Sequence, residues 1–209
     1  MIQTKKELRF YIMADMMMNR GTFRWSLKNR LKHLFLPDYI MQYLKSMRYC
    51  SYFANIQRST PPCLLPLKLY HIIRYKKLGH KLGFSIGYNT LSYGVVVPHY
   101  GTIVVGKTNR IGKYAVLHTS TCITDNGKHL GDALYLSTGV KITRQLVLGD
   151  NVSVAANSVV NNSFSEGNCL LVGMPATKKC DAVAWYIRDG ESYCKKVDEV
   201  ETLKIKMNL

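Results

Sequence analysis

From Val105 to Val160 an aliphatic residue returns at every sixth position: 105, 111, 117, 123, 130, 136, 142, 148, 154 and 160, with a single extra residue after Ile123. Four residues after an opener stand Asn109, Ala115, Thr121, Leu134, Val140, Leu146, Val152 and Ser158, mostly small or branched. Both positions must face inward. A period of six suits neither an α-helix nor an alternating strand, but it suits short strands joined by tight turns, and Gly106, Gly112, Gly131 and Gly149 follow openers. Three units make a coil of about eighteen residues, and coils stacked at the sheet spacing of ~4.8 Å place each aliphatic side chain over its counterpart. The prediction is a parallel β-helix, a prism with a dry, laddered core.

Upstream, the pattern changes to helical spacing. Leu8, Tyr11, Ile12 and Asp15 predict a helix from Lys5 to about Met18, stopped near Gly21. A second follows Thr22, with Leu27, Leu31, Leu34 and Phe35 on one face and Pro37 at its end. Asp38 is placed to cap a third, with the stripe Ile40, Leu44, Met47. Ser-Thr-Pro-Pro at 59–62 reads as a joint. After it, Leu64 to about Lys77 sets Leu65, Leu69, Ile72 and Ile73 beside Lys68, Arg74, Lys76 and Lys77, which fits a helix packed on the prism or one lying on a membrane surface. The chain divides into a basic helical region (1–82), a β-helix (83–180) and a C-terminal tail (181–209).

In the entrance to the prism, Leu91 and Val97 serve as openers, whereas Val105 comes eight residues later. Two residues are therefore extra, in the segment Pro98-His99-Tyr100-Gly101-Thr102. A bulge there would lift His99 off the regular wall.

The repeat, together with PHYGTIVVG (Pro98 to Gly106), AANSVV (Ala155 to Val160) and VGMPATKK (Val172 to Lys179), resembles the hexapeptide-repeat acyltransferases of the left-handed parallel β-helix class. Within them it resembles the serine acetyltransferase branch and its relatives from capsule and exopolysaccharide clusters. The likeness is strong over roughly residues 80 to 180. It implies acetyl-CoA as co-substrate, no metal, and His99 as the general base that takes the acceptor hydroxyl's proton as that oxygen attacks the thioester. An imidazole with a pKa near ~6.5 suits this task, because it accepts a proton at neutral pH without being permanently charged. His118, almost one coil further on, is the second catalytic candidate, and Tyr100, Asp125 and Asn126 are candidates for acceptor binding. The pantetheine arm would lie beside Gly139, Ala155 and Ala156, and the phosphates would meet Lys178 and Lys179 after the turn at Gly173, Pro175 and Ala176.

The sequence departs from the serine-specific pattern. Pro98 and Phe84 stand where that branch has aspartates, and the turn from Thr124 to His129 is short. These departures favour a sugar hydroxyl as acceptor, with serine as the alternative. Two rivals come from other classes. One is a γ-class carbonic anhydrase using His99, His118 and His129, and the other is a β-helix scaffold without catalysis.

Charge and cysteines refine the picture. The net charge is +16, and residues 1–82 hold 16 Lys and Arg against 3 Asp and Glu. That concentration favours anionic partners, with a membrane surface, a lipid diphosphate or a nucleotide sugar ahead of nucleic acid, for which no binding motif is present. Cys50, Cys63, Cys122, Cys169, Cys180 and Cys194 form no CxxC pair and read as reduced, small, buried or half-buried residues. No secretory signal and no apolar run of ~18 residues is evident, so a cytoplasmic protein is expected, with peripheral membrane contact as an extension. Flat prism faces and the resemblance together imply a homotrimer, or a hexamer paired through the helical region.

Overall fold

A computed structural model describes residues 1–56 and 61–209. Three sheets form the walls of a parallel β-helix of about five turns. The first wall stacks β1 (Phe84–Ile86), β2 (Ile103–Val105), β5 (Thr121–Ile123), β8 (Lys141–Ile142) and β11 (Val159–Val160). The second runs β4 (Val116–Leu117), β7 (Tyr135–Leu136), β10 (Ser153–Val154) and β12 (Cys169–Gly173), and ends on β13 (Ala176–Asp181), the one antiparallel strand. The third holds β3 (Arg110–Ile111), β6 (His129–Leu130) and β9 (Val147–Leu148).

All ten openers are buried, and so are all eight residues named at the second inward position. Register follows the sequence spacing: Ile103 lies opposite Thr121, Ile123 opposite Ile142 where one residue is extra, and Leu91 opposite Ile111 where two are extra. The polar residues among them are satisfied inside the prism. Asn109 donates to Gly106 O and Thr124 O and accepts from Lys128 N. Lys128 takes the inward position of the interrupted unit, and its Nζ donates to Thr124 O at 2.7 Å and Thr124 Oγ1 at 2.9 Å.

The glycines after the openers are required for a different reason from the one the turns suggest. Their φ angles are ordinary; what they lack is room. A Cβ on Gly131 would stand 2.5 Å from the Gly149 carbonyl carbon, and one on Gly106 would run into the Asp125 backbone. Close approach of coil to coil excludes any side chain there.

Four helices precede the first coil, and the first, third and fourth of them pack on it. Helix α1 (Lys5–Arg20) begins at a capping box in which Glu7 N donates to Thr4 Oγ1 and Thr4 N to Glu7 Oε2, and it ends at Gly21 in the left-handed conformation. Helix α2 (Leu27–Phe35) is capped by Ser26, so it starts later than Thr22; that hydroxyl instead turns back to Arg24 O. Asp38 caps α3 (Tyr39–Asn55) as expected, and α4 (Leu65–Leu82) follows a single 3-10 turn at Pro62–Leu64. Of the expected joint, Ser59 and Thr60 lie outside the described residues. The C-terminal end of α4 packs on the prism through Leu78 and Leu82, while Leu65, Leu69 and Ile73 stay exposed.

The segment from 181 onward is no loose tail. It folds back as α5 (Trp185–Arg188) and α6 (Glu191–Lys206). Trp185 is buried, with its indole N–H on Tyr114 O, and Glu201 accepts from Tyr93, Lys113 and Tyr114. The six cysteines are free thiols, but Cys63 and Cys180 are exposed, against the expectation of burial: one lies in the 3-10 turn and the other on the edge strand β13. Among the described residues no helix is long and apolar enough to cross a membrane.

One buried cluster ties helices to prism. Arg48 of α3 donates to both carboxylate oxygens of Asp15 of α1, at 2.7 and 3.0 Å, and to Leu91 O and Ser92 O, each at 2.6 Å. Asp15 also accepts the backbone N–H of Gly94 and Val95. Burial pushes the Asp15 carboxyl up, against the pull of the guanidinium and the two amides. Removing one partner strands a buried charge, so Asp15→Asn and Arg48→Met should each lower the unfolding free energy by about 3–5 kcal/mol in denaturant titrations. The double variant should lose less than the sum of the two, and strict additivity would show that the pair does not act as a unit.

Candidate active site

The site lies along one corner of the prism, where the chain leaves the second wall for the first. Each coil contributes a short turn there: residues 98–102, then 118–120, 137–139 and 155–157. The turns stack through backbone bonds, with His118 N on Leu136 O, Ser137 N on Val154 O, and Ala155 N on Leu171 O.

In the first turn the two extra residues make a bend at the corner, which replaces the strand bulge expected from the sequence. On this coil the second wall is reduced to the single bridge from Val96 to Val116, so no strand is there to bulge. Helices fix the bend at both ends. Asn19 of α1 donates to Val95 O at 2.7 Å and accepts from Val97 N at 3.0 Å, just before Pro98. On the far side Gly101 N donates to Leu82 O and Ile103 N to Gly83 O, at the end of α4. His99 and Tyr100 project from this clamped bend and are exposed.

His118 stands one coil below His99, with ring centroids 6.5 Å apart. Its Nε2 is 2.9 Å from the Tyr135 hydroxyl, and the Arg188 guanidinium lies 4.6 Å from the centre of the Tyr135 ring. Arg188 also donates to Ser153 Oγ at 3.2 Å and pairs with Asp189 at 2.7 Å. Burial lowers the His118 pKa, the neighbouring His99 lowers it further, and Asp189 opposes them. The result is a tethered imidazole that resists protonation, beside an exposed one. Together they can take up and hand on a proton at a surface groove.

The expected coenzyme-contacting residues continue the same corner. Gly139, Ala155 and Ala156 follow below His118, and small side chains leave the backbone approachable. Gly139 is held at φ 81°, and a Cβ there would collide with the Asn157 side chain. Gly173 closes the series at the turn into β13, which carries Lys178 and Lys179. Lys178 pairs with Asp181 at 2.7 Å, and Lys179 has no ion-pair partner among the described residues.

Other candidates fall elsewhere. Asp125 and Asn126 occupy the next corner, where the Asp125 carboxylate accepts from Thr108 N and Oγ1, so one chain does not bring them to His99. His129 is on β6 of the third wall, which separates it from His99 and His118 and removes the three-histidine set of the carbonic anhydrase reading within one chain. Sequence reasoning missed Tyr135 and Arg188. Tyr135 was accessible by stacking the repeat, since it pairs with Val116 two residues from His118; Arg188 carries no periodic signal.

No family model matches the chain. A serine acetyltransferase of Synechococcus elongatus is 26% identical over 92 residues, covering 41% of this chain and 37% of that protein. One of Staphylococcus xylosus is 29% identical over 86 residues, covering 38% and 39%. These matches span under two fifths of the relatives' own length. Among solved structures, a serine acetyltransferase from Brucella melitensis superposes with TM-score 0.60 at 17% identity, over 84% of this chain and 69% of that one. Soybean serine acetyltransferase complexed with serine gives 0.58 at 19%, over 82% and 69%. The chain has the serine acetyltransferase fold. A further serine acetyltransferase, in complex with CoA, shares that fold with TM-score 0.52 at 16% identity, over 81% of this chain and 66% of that one.

In this serine acetyltransferase fold, burial and the neighbouring His99 should hold the His118 titration low. By NMR, His118 should have a midpoint below that of an exposed histidine, and His99→Gln should raise it by removing the neighbouring charge. Identical His118 curves in the two proteins would refute the coupling. The sign for stability follows: the unfolded chain binds this proton more readily, so His118's contribution weakens as pH falls through ~6.5.

Proposed function

We propose that the chain is an acetyl-CoA-dependent O-acetyltransferase whose base is His99. The observation that carries this reading is the stacked pair His99 and His118, set at the head of a corner of small residues in a fold shared with serine acetyltransferases. His99 takes the proton of the acceptor hydroxyl as its oxygen forms a bond to the thioester carbonyl carbon. The tetrahedral intermediate then expels the thiolate, the C–S bond breaks, and the proton leaves the imidazole for the sulfur. No acyl-enzyme is required. His118, tethered by Tyr135, supports the acceptor side of this exchange, and Tyr100 flanks it. The coenzyme lies along Gly139, Ala155, Ala156 and Gly173, with Lys179 and, after release from Asp181, Lys178 on its phosphates.

Serine is the acceptor best supported, because both curated relatives are serine acetyltransferases and a soybean neighbour was solved with serine. This reverses the preference drawn from the sequence. A sugar hydroxyl remains the second reading, carried by one observation: among the described residues no carboxylate is hydrogen-bonded to the side chain of His99 or His118, and Pro98 and Phe84 stand where the serine-specific pattern has the aspartates that orient the base.

Thiol release from acetyl-CoA should be seen with serine in a panel that also holds nucleotide sugars and polysaccharide fragments. Turnover only with a sugar would restore the second reading, and no release with any acceptor would favour a scaffold. His99→Ala should lower kcat by about 10²–10⁴-fold with acetyl-CoA affinity retained, and His118→Ala should cost less. Near-normal turnover in His99→Ala would remove His99 from the mechanism.

We further propose a homotrimer, in which a neighbouring prism completes the groove and brings Asp125 and Asn126 toward His99. Light scattering should give three or six times the 23.8 kDa chain mass, and a monomer would leave the groove one-sided.

A further inference from the structure

A second concavity lies away from the histidine corner, enclosed by helices α1 to α4, with a volume of about 1110 Å³. That is just above the ~300–1,000 Å³ usual for small-molecule sites. Its floor is apolar: Ile12, Met13, Met16, Trp25, Met41 and Leu67. Its rim is mainly cationic, with Lys5, Arg9, Arg24, Lys45 and Arg74 beside a single carboxylate, Asp38, which Arg20 holds. None of these five is in an ion pair among the described residues.

The lack of counter-ions is built into this part of the chain. Residues 1–82 contain three acidic side chains, and each is engaged: Glu7 in the α1 capping box, Asp15 on Arg48, and Asp38 on Arg20 at 2.6 and 3.0 Å. His71 faces the same concavity, stacked on Tyr49 with ring centroids 3.8 Å apart. Burial and the cations Lys45 and Arg74 push its pKa down to about 4, so it adds no charge and registers the uncompensated field. The apolar lining also runs outward: Leu34 of α2 borders the groove, and Leu27 and Leu31, on the same helical face, are exposed.

We propose that this groove binds an anionic lipid of one long alkyl chain and a phosphate head, with the chain on the methionine-rich floor and the phosphate between Lys45 and Arg74. Methionine and aromatic side chains suit a flexible chain, since they repack around it, and the rim supplies the counter-charge that the protein withholds. A second copy of the chain is the poorer occupant. A two-fold contact through this face would set the same unpaired cations against themselves.

Trp25 reports directly on the site, because the chain's only other tryptophan, Trp185, is buried among the C-terminal helices. Full-length protein titrated with dodecyl phosphate, below the concentration at which that probe forms micelles, should show a saturable shift of tryptophan emission that Trp25→Phe abolishes. Dodecyl maltoside and inorganic phosphate should each bind at least tenfold more weakly. The double substitution Lys45→Gln, Arg74→Gln breaks no ion pair, only the Arg74 hydrogen bonds to Tyr70 and Gln42, and should weaken dodecyl phosphate at least tenfold while the protein still melts cooperatively; Met13→Asp should do the same from the floor. Equal binding of the maltoside, full binding of inorganic phosphate alone, or unchanged affinity in the double variant would overturn the proposal. So would light scattering showing that Met13→Asp dissociates an oligomer, since the groove would then be a subunit contact.

Discussion

The Asp15–Arg48 cluster fixes the relation between the two halves of the molecule. A β-helix leaves its first coil with unpaired backbone groups, and here two charged side chains from two helices satisfy them: Asp15 accepts from Gly94 and Val95, and Arg48 donates to Leu91 and Ser92. Apolar replacements of similar volume can match the stability of a buried ion pair, so the pair's contribution is position. Asn19, one turn of α1 beyond Asp15, extends the same grip to Val95 and Val97. His99 is two residues further along. The helical region therefore sets the height and angle of the residue on which the proposed chemistry depends, although it contributes no side chain to the corner itself.

Much of the prism was legible because its physics is periodic. A residue that must stack on its counterpart is constrained in every coil, so openers and second positions announce themselves, and the two extra residues before Val105 show where the wall is broken. The one inward position the repeat passed over was Lys128, hidden by the extra residue after Ile123; its burial works because Thr124 offers two oxygens to the ammonium. The glycines were located correctly for an incomplete reason. A sequence reports that a side chain is absent, but only the stacked coils reveal that the next turn occupies its place.

What the sequence concealed are contacts with no period. Arg188 reaches Tyr135 and Ser153 because α5 and α6 fold back along the prism, and that docking rests on single contacts: the Trp185 indole on Tyr114 O, and Glu201 between two tyrosines and Lys113. The late start of α2 is similar. Thr22 and Ser26 are both acceptable caps, and local propensity does not choose between them; the choice falls to Ser26 once Thr22 is engaged by Arg24 O.

Charge divides the molecule along the same line as the fold. Around the histidine corner, Arg188 is offset by Asp189 and Lys178 by Asp181, and burial is the largest cause of the His118 shift, with His99 second. In the helical region every carboxylate side chain is committed to holding the structure, and Lys5, Arg9, Arg24, Lys45 and Arg74 are left to line the groove. Arg48 shows why the two roles stay separate. It is the cation that the fold neutralises completely, with one carboxylate and two carbonyls, and it is also the one on which the prism's first coil depends. A cation left to recruit a ligand cannot also anchor a coil, because ligand exchange would then unfasten the bend that carries His99.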